Sequence, residues 1–541
     1  MTASLAIVNA AVHTVDDAVQ NAEAVAVAGE QIVAVGSDEA VRSLIGPGTE
    51  VIDAGGATVL PGFVDAHNHV RLGSNPGAAQ FFGAPSLSDI RDRLDTFADA
   101  HPDAAWIEGE GWNYSAIPGG SPTADMLEGA GRNKALFLFS YDVHTVWLNR
   151  EAMTRLGITR DTVHLPWGTI EMDPGTGEPT GYVHDFAVLG ISEEGQRALE
   201  PHIPGYAPGA QYERLVRSLD MATAFGITTI VEPQNGLDDI ALFVRARQEG
   251  TLRSRLVAAM LCLPGTTAER LDALEDAKRT YADDRFRVGP IKLYIDDVIE
   301  PHTAAMLAPY ANAATTGDTF WPPEEFAGFL QELERRGFQS FTHATGDRGI
   351  RTVLDAVQGC RRAFGPADAR HQIVHVECVH ADDVPRFGEL GVVACMQPRH
   401  CAPDIVAEWR DNVGPARERY AWPLRSIAEA GGTLAFSSDW NVAEMDPMIW
   451  LYTAVSRADL EGRGAWNVEE TVDLAQAVRA ATLGSAYANF AEDRRGSIAP
   501  GKDADLIVLS RDLFEPGDPR AILDTRVTHT VVAGKVVHRA S

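Results

Sequence analysis

The chain has 541 residues, of which 45% are hydrophobic, so it can bury a large core and support a second, smaller domain. Its 76 acidic side chains outnumber 46 basic ones and give a formal net charge of -30. Because such a charge repels phosphate backbones and anionic membranes, it argues against nucleic-acid and membrane binding and leaves a small molecule as the expected partner.

Both ends of the chain are rich in short β-type runs. Residues 1–57 alternate these runs with turn signals, in LAIVNAAVHTV, AVAVAGEQIVAVG and EVIDAGGATVLPG. Residues 491–541 repeat the pattern in GSIAPGKDADLIVLS and VTHTVVAGKVVHR. Two independent ragged termini would be the alternative, but both ends are too apolar to stay disordered. We therefore expect them to meet in one small composite β-sandwich domain.

The middle of the chain, residues 58–490, carries eight apolar, β-branched runs that each end in a polar or charged residue. Helical patterns such as QYERLVRSLDMATAFG and DRGIRTVLDAVQGCRRAFG separate several of them. This alternation predicts an α/β fold of the (β/α)₈ TIM-like barrel type. The eight runs are ATVLPGFVDAHNH, GITTIVEP, RLVAAMLC, RVGPIKLYID, FQSFTHATGD, HQIVHVECVH, GVVACMQP and TLAFSSDW.

One connection is far longer than the others. Residues from about 71 to 210 separate the first predicted strand from the second, too many for an ordinary loop, so this insertion must have structure of its own. In a barrel, an insertion after the first strand emerges at the face where active sites lie, so we expect a lid or a substrate wall.

The cysteines and the N-terminal sequence indicate the cellular compartment in which the protein is expected. The five cysteines form no CxxC pair, and an odd number fits poorly with a full disulfide framework. No basic segment followed by a long apolar run begins the sequence, and no other stretch is apolar enough to span a membrane. We expect a cytoplasmic protein, and homo-oligomerisation is left open.

A metal site is indicated by histidines and an aspartate at strand ends. His67 and His69 alternate along PGFVDAHNHV, so both imidazoles project to one side and can grip one ion. His343, His375 and Asp439 end three later strands, and residues at the carboxyl ends of barrel strands converge on one mouth. Each residue taken singly could be an ordinary hydrogen-bonded polar group.

With these residues in place, the chain resembles the amidohydrolase superfamily, and within it the amidohydrolase-3 branch, the group that includes N-substituted formamide deformylases. The resemblance covers nearly the whole chain. It implies that His67, His69, His343, His375 and Asp439 hold one or two metal ions, and that Lys292 could be carboxylated to bridge two of them. It rests on PGFVDAHNHV, IKLYIDD, HTAAMLAPY, THATGDRGI, HQIVHVECVHADDVPRFGELGVVACMQPRH, SSDWNVAEMDPMIW and GSIAPGKDADLIVL.

The chain departs from that branch at three positions, Asp297, Glu377 and Asp185. Asp296 and Asp297 follow the strand-four lysine where relatives commonly have Asp-Gly, Glu377 stands where a glutamine is frequent, and Asp185 replaces a usual glutamate. These changes leave the predicted ligands intact and put the substrate class in doubt. A lysine ammonium beside a divalent cation would be repelled, so Lys292 should be neutral, carbamylated or turned away.

The predicted reaction is hydrolysis by metal-activated water. The resemblance implies that the bond cleaved is a non-peptide C–N amide bond in a small N-acyl or N-formyl substrate. Asp439 would act as general base and then general acid, and His375 would help to stabilise the oxyanion. Zn²⁺ is the default ion. The alternatives are hydrolysis of a carbamate, cyclic amide, ester or phosphoester at the same site, or a non-catalytic binding protein.

Aromatic and polar side chains are the candidates for substrate binding, with core packing as the alternative for each aromatic ring. His144 matches a histidine often seen in the branch's insertion, and Arg348 could equally form an ion pair at a helix start. The candidates are Trp112, Tyr114, His144, Trp147, Arg348 and Trp440.

Overall fold

The computed structural model describes residues 2–73, 75, 77–162, 164–515 and 517–540. The chain divides into two compact units. The first comprises Met1–Val70, Val216–Gln234 and Ala241–Ser541, and the second comprises Arg71–Leu215 and Asn235–Ile240.

The first unit contains a parallel barrel sheet, which has eight strands among the described residues, as the eight runs predict. Hydrogen bonds from Ala66 N to Phe436 O (3.2 Å) and from Asp439 N to His67 O (2.9 Å) link the last strand to the first. Small and β-branched side chains from several strands fill the interior. The strands are Phe63–Asp65, Ile227–Asn235, Arg255–Leu261, Phe286–Tyr294, Ser340–Ala344, Gln372–His375, Val393–Met396 and Thr433–Phe436.

Amphipathic helices separate the barrel strands. In Asp347–Phe364, the apolar residues Ile350, Val353, Leu354 and Val357 recur at helical spacing and are buried, and the helix ends before Gly365. The α-helices from residue 208 onward are Pro208–Ala224, Ile240–Gln248, Ala268–Thr280, Pro323–Arg335, Asp347–Phe364, Val384–Leu390, Ala407–Val413, Leu424–Glu429, Pro447–Ser456, Leu474–Arg479 and Ser485–Ala488.

The two chain ends form a composite β-sandwich in the same unit, which confirms that expectation. Thr58–Pro61 from the N-terminal segment pairs antiparallel with Leu506–Leu509 from the C-terminal segment. Ile7, Val59 and Leu506 belong to one hydrophobic core. One mixed sheet contains Ala11–His13, Asn21–Ala22, Thr58–Pro61, Leu506–Leu509, Val527–Val532 and Lys535–Arg539. The other, also mixed, contains Leu5–Val8, Ala24–Ala28, Gln31–Gly36 and Glu50–Asp53. The short helix Asp38–Arg42 lies between the last two of these strands in the sequence.

The second unit has a sheet and hydrophobic cores of its own, as the length of the insertion requires. Its helices are Leu87–Ala100, Arg150–Arg155, Phe186–Leu189 and Glu193–Leu199. Its strands are Ala79–Gln80, Trp106–Trp112, Ala135–Ser140, Val146–Leu148, His164–Leu165, Gly168–Met172 and Pro179–His184.

All five cysteines are buried and carry free thiols. Within the described parts of the chain, no helix combines the length and the apolar character that crossing a bilayer requires. The predicted domain limits of 1–57, 58–490 and 491–541 stay a prediction.

Candidate metal centre

His67, His69 and Asp439 meet at the carboxyl end of the barrel. The two Nε2 atoms lie 3.2 Å apart, and each lies 3.2 Å from Oδ1 of Asp439. All three side chains are buried. Backbone hydrogen bonds from Asp439 N to His67 O and from His69 N to Trp440 O hold the two segments together. The contact joins residues more than 360 positions apart in the sequence.

His375 and His343 complete the cluster of rings. The His375 ring centroid lies 5.3 Å from that of His67 and 4.5 Å from that of His343. His375 Nδ1 lies 3.8 Å from Oδ2 of Asp439, while Nε2 of His343 lies 3.0 Å from the carbonyl oxygen of Asp297. His67, His375 and Asp439 have ligand-type atoms close enough to share one ion.

Gln397 orients the His375 ring. Its amide nitrogen donates to Oγ of Ser437 (2.8 Å), so its oxygen faces Nδ1 of His375 at 2.9 Å. Nδ1 therefore carries the proton and donates it, which leaves the lone pair of His375 on Nε2.

Charge and burial put these groups in the state that metal ligands need. Burial, helped by the positive charge of Lys292, lowers the pKa of His67 to about 3, so the ring is neutral. Burial alone would raise the pKa of Asp439, but the neighbouring histidines outweigh it and hold that pKa well below its usual range. Among the described residues, neither Oδ1 of Asp439 nor Nδ1 of His67 has a hydrogen-bond partner. Neutral imidazoles facing an ionised carboxylate without hydrogen bonds fit a divalent cation.

Lys292 lies in the fourth barrel strand and is buried, with its Nζ 4.5 Å from the ring centroid of Tyr294 and 5.5 Å from that of Phe341. Burial lowers the pKa of this amine to about 8. A substantial neutral fraction near pH 8 is what carboxylation of the amine requires, and this modification stays a prediction.

Asp65 is a buried residue of the site that the sequence reasoning missed. Its Oδ2 accepts hydrogen bonds from Nδ2 of Asn68 (2.8 Å) and Oγ of Ser438 (2.6 Å), and its Oδ1 accepts from Ser438 N (3.0 Å). Burial raises its pKa to about 7. Through these hydrogen bonds, Asp65 connects the HxH segment to Ser438, the residue before Asp439. Its position two residues before His67 in the sequence could have identified it.

His400 and Glu377 were missed as well. His400 follows the seventh barrel strand, and its ring stacks parallel to that of His375 with centroids 6.0 Å apart. Its Nε2 lies 3.7 Å from Oδ2 of Asp439. His375, Glu377 and His400 form a second group with ligand-type atoms within 4.8 Å of one another.

The structure places the predicted substrate-binding residues in two environments. Trp112, Tyr114 and Trp147 belong to one core of the second unit, where Trp112 Nε1 donates to Leu138 O (3.0 Å). His144 is buried in the same unit.

The other two candidates belong to the first unit. Trp440 is half-buried beside Asp439, and Arg348 donates to the carbonyl oxygens of Thr316 and Gly317. A role in substrate binding stays a prediction for all six candidates.

Asp296 and the two departures from the branch pattern at Asp297 and Asp185 have separate local roles. Asp296 accepts hydrogen bonds from the backbone N–H groups of Ala305, Thr345 and Gly346, which makes it a structural cap. Asp297 accepts from Thr303 Oγ1 (2.8 Å). Asp185 has a left-handed backbone with φ of 62° at the start of the helix Phe186–Leu189.

Comparison with known proteins gives matches along nearly the whole chain. The model of the Amidohydrolase family matches residues 50–538. "Protein LONG AFTER FAR-RED 3" of Arabidopsis thaliana is 27% identical over 99% of this chain and 92% of its own length. The N-substituted formamide deformylase of Arthrobacter pascens is 27% identical over 94% of this chain and 93% of its own.

A similar fold is found in a solved structure described as an uncharacterized metal-dependent hydrolase from Pyrococcus horikoshii. It superposes with a TM-score of 0.73 at 20% sequence identity and covers 99% of this chain and 100% of that one. The resemblance to the amidohydrolase-3 branch and the barrel fold are both confirmed.

Proposed function

Since the chain belongs to the Amidohydrolase family, we propose that it is a metal-dependent hydrolase that cleaves a non-peptide C–N bond in a small N-acyl or N-formyl substrate. The observation that carries the proposal is the buried contact of His67 and His69 with Oδ1 of Asp439, an oxygen that accepts no hydrogen bond from any described residue. The substrate class is supported by the similarity to a protein named N-substituted formamide deformylase.

The ion proposed for this cluster is Zn²⁺, because neutral imidazoles and a carboxylate are ligands that zinc prefers. When bound, such an ion polarises the substrate carbonyl and makes a water molecule acidic enough to react near neutral pH. His67, His69, His375 and Asp439 would hold it. Lys292 and His343 are the further ligands that the family resemblance implies for a second ion.

Asp439 performs the proton transfers in this proposal. As water adds to the carbonyl carbon, the carboxylate takes one of its protons; when the C–N bond breaks, the same group returns that proton to the leaving nitrogen. The products are a carboxylic acid and an amine. The histidines around Asp439 keep its carboxylate ionised, so it is ready to accept the first proton. Gln397 and the fixed ring of His375 keep the site in one geometry.

The test combines metal analysis with a matched pair of aspartate variants. The purified protein is assayed on N-substituted formamides, longer N-acyl amides, carbamates, lactones and phosphoesters, before and after chelation. Asp439→Asn should fold and retain metal yet lose about 10²- to 10⁴-fold in kcat, the usual contribution of a general acid–base group. Asp446→Asn is the control, because Asp446 caps the helix Pro447–Ser456 and asparagine caps equally well.

Chelator-sensitive cleavage of an amide that is lost in Asp439→Asn but kept in Asp446→Asn supports the proposal. Cleavage confined to another bond type would correct the substrate class and leave the metal centre standing. Undiminished activity in Asp439→Asn would remove Asp439 from the proton transfers. Protein that binds no metal and hydrolyses nothing would refute the hydrolase.

A further inference from the structure

We propose that His375, Glu377 and His400 form a second divalent-cation site, which shares the carboxylate of Asp439 with the first and takes the single lone pair of His375 when both ions are bound. This inference rests on the metal centre of the proposed function and extends it. The ligands it adds, Glu377 and His400, belong to neither the HxH motif nor the strand-end residues that indicated the first site.

The spacing of the three side chains matches a single ion. Their ligand-type atoms all lie within 4.8 Å of one another. Ligand atoms bonded to one ion at about 2.0–2.2 Å lie about 3.3–3.6 Å apart in a tetrahedral site, so the three side chains would close by about 1 Å around the ion. Side-chain rotations of that size cost little.

Asp439 faces two separate pairs of histidines with its two oxygens. Oδ1 lies 3.2 Å from the Nε2 atoms of both His67 and His69. Oδ2 lies 3.8 Å from His375 Nδ1 and 3.7 Å from His400 Nε2. Because His375 Nδ1 donates its proton to Gln397, the nitrogen ligand that Oδ2 faces is Nε2 of His400. A carboxylate that presents one oxygen to His67 and His69 and the other to His400 is arranged to bridge two ions, as in two-metal sites with ions about 3.5–4 Å apart.

Nε2 of His400 and the carboxyl group of Glu377 also have few hydrogen-bond partners among the described residues. Among the described residues, the buried Nε2 of His400 has no hydrogen-bond partner. Glu377 is 7% exposed, and in the described chain its side chain accepts one hydrogen bond, from Trp409 Nε1 at 3.1 Å, and forms no ion pair. A cation between Glu377 and His400 would supply the positive charge that a Glu377 carboxylate lacks among its described neighbours.

The ligand set defines the class of ion. Two imidazoles and a carboxylate are borderline donors that accept Zn²⁺, Mn²⁺, Co²⁺ or Fe²⁺. The rival location for a second ion is a carboxylated Lys292 with His343. The two locations have only His375 in common, so substitutions can separate them.

The experiment counts ions in the full chain by elemental analysis after equilibrium dialysis against Zn²⁺. The variants are Glu377→Gln, His400→Asn, Lys292→Met and His67→Asn, with circular dichroism as the check on folding. The controls are Glu470→Gln, at a buried glutamate that accepts hydrogen bonds from Ser426 N (2.9 Å) and Oγ (2.6 Å), and His184→Gln, at a histidine paired with Glu171. Because an elemental count needs no substrate, it is independent of turnover.

We expect the wild type and both controls to hold about two equivalents of zinc, and Glu377→Gln and His400→Asn to hold about one. In these two variants the affinity for the second equivalent should fall by at least about 10- to 100-fold. A parallel loading with Co²⁺ should show one set of visible absorption bands disappearing in the same two variants, since those bands report the ligands around each ion. Lys292→Met should keep the second ion.

Three results would overturn the second site. In the first, the wild type holds a single equivalent of zinc, which is lost in His67→Asn and kept in Glu377→Gln. This result would leave the proposed function intact. Another is loss of the second ion in Lys292→Met but not in Glu377→Gln or His400→Asn, which would assign that ion to the lysine. A wild type that binds no zinc at all would refute the second site together with the first.

Discussion

Removing the Asp65 carboxylate should loosen the metal centre, although Asp65 is not among the proposed ligands. In Asp65→Ala, four buried donors lose their acceptor: Ser438 N, Ser438 Oγ and Asn68 Nδ2, which lie 2.6–3.0 Å from it, and His67 N, which is more distant at 3.4 Å. Each orphaned donor costs about 1–3 kcal/mol. Because the variant also escapes the cost of burying a carboxylate, the lower end applies, and we expect the free energy of unfolding to fall by about 3 kcal/mol.

Asp65→Asn keeps the size of the side chain and replaces one of its two acceptor oxygens by a donor. Its side-chain oxygen can still accept from Ser438 N, and its amide nitrogen can donate to Oδ1 of Asn68, a buried atom with no hydrogen-bond partner among the described residues. We therefore expect a loss of only about 1 kcal/mol. Since Ser438 adjoins Asp439, zinc affinity should follow the same order: wild type, then Asp65→Asn, then Asp65→Ala.

The assay is urea unfolding of the metal-free protein, followed by tryptophan fluorescence, together with zinc affinity measured by competition with a chelating dye. The control is Asp446→Ala, which removes a helix cap away from the cluster and should cost about 1 kcal/mol without changing zinc affinity. If Asp65→Ala unfolds at the wild-type urea concentration and binds zinc as tightly, then Asp65 does not position the ligands.

Three further predictions follow from other contacts. Burial lowers the pKa of His67 to about 3, below the 6.5 of an unfolded histidine, so the unfolded state binds more protons between these two pH values. The metal-free protein should therefore lose stability as the pH falls from about 6.5 toward 3. His67→Asn should flatten that part of the stability profile, measured by urea unfolding. Arg255→Met takes away the guanidinium held at 2.6 Å from the buried Asp505 and leaves that of Arg495 at 3.8 Å. Calorimetry should find the variant destabilised by about 3 kcal/mol, the lower end for a broken buried pair, and an unchanged melting temperature would contradict this prediction. Trp147→Phe removes the hydrogen bond from Nε1 to Thr123 O (2.9 Å) and should lower the free energy of unfolding by about 1 kcal/mol. If the ring serves core packing alone, KM stays at the wild-type value. A raised KM with unchanged kcat would instead support the predicted role in substrate binding.

The sequence by itself determined the barrel, the composite β-sandwich and an independently structured insertion. Strand periodicity, helical spacing and turn residues are local properties, and each apolar run of the middle segment therefore predicts one strand without knowledge of its neighbours. The topology of a parallel barrel then brings the carboxyl ends of its strands to one face. That rule, together with the HxH spacing, is why His67, His69, His375 and Asp439 could be expected in one cluster.

Only the tertiary structure decided how that cluster is supported and what lies beside it. The hydrogen bonds of Asp65 to Ser438 span 373 positions of sequence, and no local pattern records them. His400 and Glu377 carry no spacing signal of their own, since one follows the seventh barrel strand in a short helical turn and the other lies two residues beyond the sixth. Their proximity arises from the closure of the barrel, which brings residues together by their position around the mouth and not by their distance along the chain.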